Sequence, residues 1–138
     1  MELNYPGMYY EWIEAWNGGD IDLETIFHNG VVVRQMPKEQ HGIEAVKEMI
    51  EQGRAPFDPI TFTIDVEPVF DDHMLAARWK CHGIYQGGIP GVTAEPGTQI
   101  IFGGADMWRF SDGKVSDYWV SSDGLWLMEQ LNPAPGAP

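Results

Sequence analysis

The spacing of apolar residues changes once along this chain, and that change limits the folds open to it more than any other feature. Before the segment "RAPFDP" apolar side chains mostly recur three or four residues apart; after it they alternate, and the prolines between forbid a helix from running through. In "MYYEWIEAWNGGDIDLETIF", Met8, Trp12, Ala15 and Trp16 share one face of a helix that Gly18 and Gly19 end. Asp20 or Asp22 can cap a second, short helix through Leu23, Ile26 and Phe27. "GVVVRQ" reads as a brief strand, and "GIEAVKEMIEQG" as a third helix that buries Ile43, Val46, Met49 and Ile50, with Gly53 just past its end.

Beyond the prolines, "ITFTIDVEPVF" alternates, "DDH" turns and "MLAARWKCHGIYQG" makes a second long strand. "GIPGVTAEPG" is a loop by its glycines and prolines, while "TQIIFGGADMWRF" and "KVSDYWV" are strands joined by a tight Asp112-Gly113 turn. "DGLWLMEQL" adds a last helical turn or two. Helices followed by antiparallel strands argue an α+β fold with its helices on one face of a strongly curved sheet. Such a sheet leaves a pocket walled by alternate strand residues and by the inward face of the first helix. At 138 residues the chain has room for one such domain, placed at 1–132, with a disordered tail at 133–138.

Composition removes several classes of partner. The chain is 43% hydrophobic and 12% aromatic, enough for a packed core in spite of its charge. A net charge of -13, with no Lys/Arg cluster to reverse it locally, repels phosphate backbones and anionic headgroups, so neither nucleic acid nor membrane is an expected partner. The absence of a long apolar run and of a signal-peptide pattern points to a cytoplasmic protein. Cys81 is the only cysteine, which excludes an internal disulfide and a cysteine-based zinc site; within a strand pattern it is expected to be buried. No histidine pair has ligand spacing, so no metal is expected. Neither a phosphate loop nor a Gly-x-Ser-x-Gly nucleophile elbow occurs.

One residue breaks the strand pattern. Aspartate is disfavoured in strands, yet Asp106 stands in the middle of one, with Gly104 and Trp108 as its same-face neighbours. A carboxylate facing an apolar cavity loses hydration, its pKa rises, and it becomes suited to moving protons near neutral pH. The alternative is that Asp106 holds a neighbouring tyrosine or backbone amide in place. Tyr85 shares parity with Trp79, Cys81 and Gly83, so its phenol either meets a developing oxyanion in the pocket or fills the core at a strand end. His28, after "TIF", either points at the cavity floor as a second proton carrier or sits at the carboxyl pole of its helix. His82 has the opposite parity and faces away, while His41 in a loop and His73 in a turn belong to the surface. Trp79 and Trp108 read as pocket wall, joined by Phe102 and Val120, and Tyr9 and Trp12 of the aromatic first helix as further substrate contacts.

The order and spacing of "ARWKCHGIYQGGIPG", "GGADMWRFSDGKVSDYW", the following "SDG" and the closing "EQL" resemble the SnoaL-like polyketide cyclases of the nuclear transport factor two superfamily. The resemblance extends to "AWNGGDIDLETIF" and "GIEAVKEMI", so it covers most of the chain. It implies a cone-like sheet around a deep hydrophobic pocket, acid/base chemistry with no metal and no cofactor, and a homodimer made through the sheet. By the same resemblance Asp106 matches a pocket residue, Trp79 a wall aromatic and Asp123 the acidic residue after the last strand. Two positions depart from the pattern. Tyr85 replaces the histidine of a Gly-x-His-x-Gly motif, and Val120, just after Trp119, stands where aldol cyclases of the family have their catalytic aspartate.

These readings converge on a cofactor-independent enzyme of cyclase, isomerase or lyase type acting on a hydrophobic, aromatic or polyketide-like small molecule. Asp106 is its acid/base, Tyr85 its oxyanion partner, and His28 or Asp123 its second proton carrier. A retro-aldol deformylating lyase of lignin-derived diaryl compounds uses the same parts, and a non-catalytic binding or carrier protein uses the same scaffold. Convergence of Asp106 and Tyr85 on one point of an open pocket would separate enzyme from carrier, and an Asp106 tied up by a buried partner would take away the main support of the enzyme reading. An assembly domain would instead have a filled cavity and a large apolar patch on its outer sheet face, where Ile101, Met107 and Trp119 are expected.

Overall fold

Helix α1 (Tyr5–Trp16) starts where the Asn4 side chain accepts a hydrogen bond from Gly7 N at 3.0 Å and Pro6 sits in the first turn. The computed structural model describes residues 3–35 and 37–133. The buried face of α1 carries Tyr5, Tyr9, Trp12, Ile13 and Ala15, whereas Met8 and Trp16, expected on the same face, are half-buried at its margin. Just past the helix, Asn17 donates to Phe62 O at 2.9 Å and accepts from Phe62 N at 2.7 Å, fastening α1 to the inner part of an edge strand.

The expected second helix is only a 3₁₀ turn, Leu23–Thr25, capped by Asp22. Strand β1 (Phe27–Gln35) has already begun where that helix was expected to end, so His28 lies on a strand. It is followed by β2 (Lys38–His41), a short strand with no apolar residue and every side chain exposed, which leaves the sequence no alternation to display. His41 is therefore exposed on a strand instead of in a loop. Helix α2 (Ile43–Arg54) buries Ile43 and Val46 and contains Gly53, which was expected beyond its end.

The remaining strands are β3 (Phe57–Phe70), β4 (Met74–Tyr85), β5 (Gln99–Ser111) and β6 (Lys114–Ser122), followed by α3 (Gly124–Leu131). They form one open, mixed six-stranded sheet in the order β2-β1-β6-β5-β4-β3, in which only the β1–β6 pair is parallel among the described residues. Asp112 and Gly113 join β5 to β6 with φ of 49° and 79°, the double positive φ of a type I′ hairpin turn. Register shifts along β3–β4 and between Arg109 and Phe110 of β5 bend the long strands, as bulges do, so the inner face turns around α1. Helices α2 and α3 pack at β1 and β5. This is the α+β architecture expected from the change of period.

Aromatic side chains fill the space between α1 and the sheet. The fully buried Trp12 meets Phe27, Tyr118 and Trp108 edge-on, with ring centroids 5.1, 5.6 and 6.3 Å apart. Each such pair adds about 1 kcal/mol to the area it buries. The expected tail lies outside the described residues from 134 onward. No helix among the described residues is long and apolar enough to cross a membrane.

Candidate active site

The site is built on alternate residues of β5. Ile100, Gly104, Asp106, Trp108 and Phe110 turn inward while Ile101, Met107 and Arg109 turn out, so the aspartate faces the interior by strand parity alone. Gly104 pairs with Trp79 across the β4–β5 ladder. A Cβ at 104 would come within 2.4 Å of the Trp79 ring and 2.3 Å of Ser121 O; its absence lets the indole lie across the strand beside Asp106.

Asp106 is 2% exposed, the only buried charged or polar residue among those described. Its partners are neutral phenols. Tyr118 Oη donates to Oδ1 at 2.5 Å and Tyr9 Oη donates to Oδ2 at 2.8 Å. Burial pushes the Asp106 carboxyl up to about 6, against the pull of the Tyr118 and Tyr9 hydrogen bonds. The Trp12 indole N–H, buried and without a hydrogen-bond partner among the described residues, is turned toward the same group and also favours the charged form. Burial first, and then the adjacent carboxylate, raise the Tyr9 and Tyr118 phenols, which therefore stay protonated as donors.

Asp106 and Tyr118 open onto a cavity of about 380 Å³, the size of a small-molecule site. Its walls are Ile13, Trp16, Phe62, Trp79, Phe102, Val120 and Leu127, and the exposed side chains of Gln35, Gln40 and Gln52 stand at its rim. Pro56, Phe57 and Ile89 close the far end. Among the described residues no Lys, Arg or His lines it. Among the described residues no cluster of His, Cys, Asp and Glu has the arrangement of a metal site.

Of the residues singled out in the sequence, Asp106, Trp79, Phe102 and Val120 come together on this cavity. Tyr9, Trp12 and Trp108 stand behind the wall in the packed core, with Tyr9 touching Asp106. The expected convergence of Tyr85 with Asp106, which was to separate enzyme from carrier, does not occur, and Asp106 instead holds two neighbouring tyrosines, the structural alternative for it. Asp106 pairs with Ala77, and Tyr85 lies eight residues further along β4, a span of roughly 25 Å. Its phenol oxygen accepts from Ile89 N at 3.0 Å, pinning the loop at the far end. His28 points out of β1 beside the inward Phe27, and its ring Nε2 contacts Ser111 O, away from the cavity. Asp123 is exposed and lies 3.5 Å from Arg78, outside the cavity wall. Cys81 is buried as expected, with its thiol pushed up to about 12 by desolvation. His73 and His82 are exposed, also as expected.

Tyr118 is the functional candidate that sequence reasoning passes over. Its signal is present all the same: it lies two residues before Val120 on the same strand and hence on the same face.

A sequence model of the SnoaL-like polyketide cyclases matches residues 8–131. The chain belongs to the SnoaL-like polyketide cyclase family. Among solved structures it is similar to TsrD from Streptomyces laurentii, at 24% identity and a TM-score of 0.79 over 94% of this chain and 98% of that one. It is also similar to AclR from Streptomyces galilaeus, at 21% identity and a TM-score of 0.79 over 97% and 84% of the two chains. IdmH from Streptomyces antibioticus, provisionally described as a polyketide cyclase, gives 21% identity and a TM-score of 0.76 over 93% and 98%. At these identities the likeness establishes the fold. Comparison with curated proteins gives no match. Membership of the SnoaL-like family supports a cyclase-type enzyme that works without a cofactor.

Proposed function

We propose that this chain is a cofactor-independent acid/base enzyme of cyclase, isomerase or lyase type, acting on a hydrophobic, aromatic or polyketide-like small molecule. The observation that carries this reading is Asp106 itself: a carboxyl buried at the inner end of an apolar cavity, held by two phenols and by no cation. An ion pair would keep such a group charged and inert. Neutral donors hold its orientation while leaving its pKa near the operating range of a base. Each carboxylate oxygen accepts one phenol and retains acceptor capacity, so the two hydrogen bonds do not block proton transfer.

The substitution of valine at 120 is compatible with this. Val120 is the cross-strand partner of Asp106, and directly opposed side chains have Cβ atoms about 5 Å apart. A carboxyl on β5 thus reaches the part of the cavity that one on β6 would serve. In the resting state the carboxylate removes a proton from the substrate, and the resulting acid returns it to the product. Aromatic walls position the substrate and exclude water. The same reading takes the protein as a homodimer through the outer sheet face, where Ile101 and Met107 are exposed; sedimentation velocity tests that part alone.

The test is a thermal-shift and turnover screen of wild type beside Asp106→Asn, with aromatic polyketide intermediates and lignin-type diaryl alcohols, reading formaldehyde release in parallel. Ligands should stabilise both proteins and be converted by wild type alone. Formaldehyde would assign the retro-aldol reaction. Binding without conversion by either protein would leave a carrier, and equal activity of the mutant would remove Asp106 from the chemistry.

A further inference from the structure

The two phenols on Asp106 are not equivalent. Tyr9 comes from α1, donates to Oδ2 at 2.8 Å, and has no surface on the cavity. Tyr118 comes from β6, donates to Oδ1 at 2.5 Å, and lines the cavity beside Val120 and Ser122. One phenol anchors the carboxylate from behind. The other lines the cavity beside it.

An oxygen-to-oxygen separation of 2.5 Å is that of a charge-assisted hydrogen bond between a phenol and a carboxylate. The Tyr118 hydroxyl spends its single proton on Asp106, so toward the cavity it offers lone pairs and acts as an acceptor. Burial, and then the adjacent Asp106 carboxylate, keep Tyr118 protonated, so it takes up a proton only as it passes its own to Asp106. A substrate group that meets this acceptor must bring its own proton on a polar atom. With no cation on the wall, that group is better matched as a neutral hydroxyl than as a carboxylate.

We propose that Tyr118 is a catalytic residue that relays a proton from a substrate hydroxyl to Asp106, and that the substrate is therefore an uncharged hydroxyarene, enol or β-hydroxy compound. The substrate O–H bond breaks and its electron pair stays on the substrate oxygen. The proton goes to Tyr118 Oη while the Tyr118 proton moves to Asp106 Oδ1, leaving a neutral phenol and a neutral carboxylic acid. The reverse movement protonates the product. This relay rests on the acid/base reading of Asp106 and gives it a direction: the first proton leaves an oxygen.

The probe is 2-naphthol, with 2-methoxynaphthalene as its partner lacking the proton. Wild type should bind 2-naphthol about tenfold more tightly by titration, the worth of one well-made hydrogen bond. Tyr118→Phe should bind both alike, while Tyr85→Phe, which lacks a phenol elsewhere on the same sheet face, should keep the preference. Equal binding of the two probes by wild type overturns the relay, and so does a preference that survives in Tyr118→Phe. Should that variant melt below the assay temperature, wild type alone decides through emission. Excited 2-naphthol is a strong acid, so bound probe should emit as naphtholate, and emission from neutral naphthol alone overturns the proposal. Retained turnover in Asp106→Asn would instead defeat the underlying acid/base reading, whatever the probes show.

Discussion

Three tyrosine hydrogen bonds at the two ends of the sheet's inner face do two kinds of work. At one end Tyr118 and Tyr9 clasp a buried carboxyl that opens onto the cavity. At the other, Tyr85 accepts from the backbone of Ile89 and ties down a loop. Tyr118 and Tyr85 both sit on inward strand positions and both are buried. Position along the strand separates them. Strand parity assigns a side chain to a face, but a face of this sheet extends for tens of ångströms while a proton moves across fewer than three.

The sharpest way to break this contrast is to remove the carboxyl. Asp106→Asn should lower turnover at least about a hundredfold, the usual worth of a positioned acid or base, with ligand binding retained by thermal shift. In wild type the rate should rise with pH through about 6, as the carboxyl loses its proton, and level off above.

Stability should carry the same signature with the opposite sign. The folded carboxyl stands at about 6 against an ordinary 3.8, so the protein binds this proton more tightly folded than unfolded. Its contribution is therefore fully present below about pH 4 and lost as pH rises to about 6. Denaturant titrations should show wild type losing roughly 3 kcal/mol relative to Asp106→Asn across that window and staying level above it. Parallel curves for the two proteins would mean that the carboxyl is not desolvated.

A smaller effect is expected from the wall. Gly104→Ala forces the Trp79 ring and the Ser121 carbonyl apart, which should cost about 2 kcal/mol by chemical denaturation and reduce the cavity. The smallest belongs to the other end of the sheet: Tyr85→Phe removes one hydrogen bond to Ile89, costs about 1 kcal/mol, and leaves turnover within about threefold of wild type. A loss in Tyr85→Phe comparable to that in Asp106→Asn would erase the distinction between the two ends.

Much of the site is legible in the amino-acid sequence. Asp106 stands out as a polar residue at an apolar strand position, Gly104 marks the gap that Trp79 occupies, and the Asp112-Gly113 turn locates the hairpin that carries both site strands. Tyr118 is harder to place. Counted from that turn without interruption it would pair with Met107 on the outer face. Ser116 is an extra residue in β6, and the resulting shift pairs Tyr118 with Trp108 and Trp119 with Met107, so the phenol turns inward. His28 misleads for a related reason, since the strand begins before the expected helix has ended and reverses the direction of its side chain.

The sequence by itself determined the change from helices to long strands, the inward face of residues such as Asp106 and Trp79, and the family, because these depend on local periodicity and on motifs a few residues long. Only the tertiary structure decided which inward residues meet. That depends on bulges, cross-strand register and the approach of α1 to β5, which bring Tyr9 to a carboxyl 97 positions away and leave Tyr85, on the same face, out of reach.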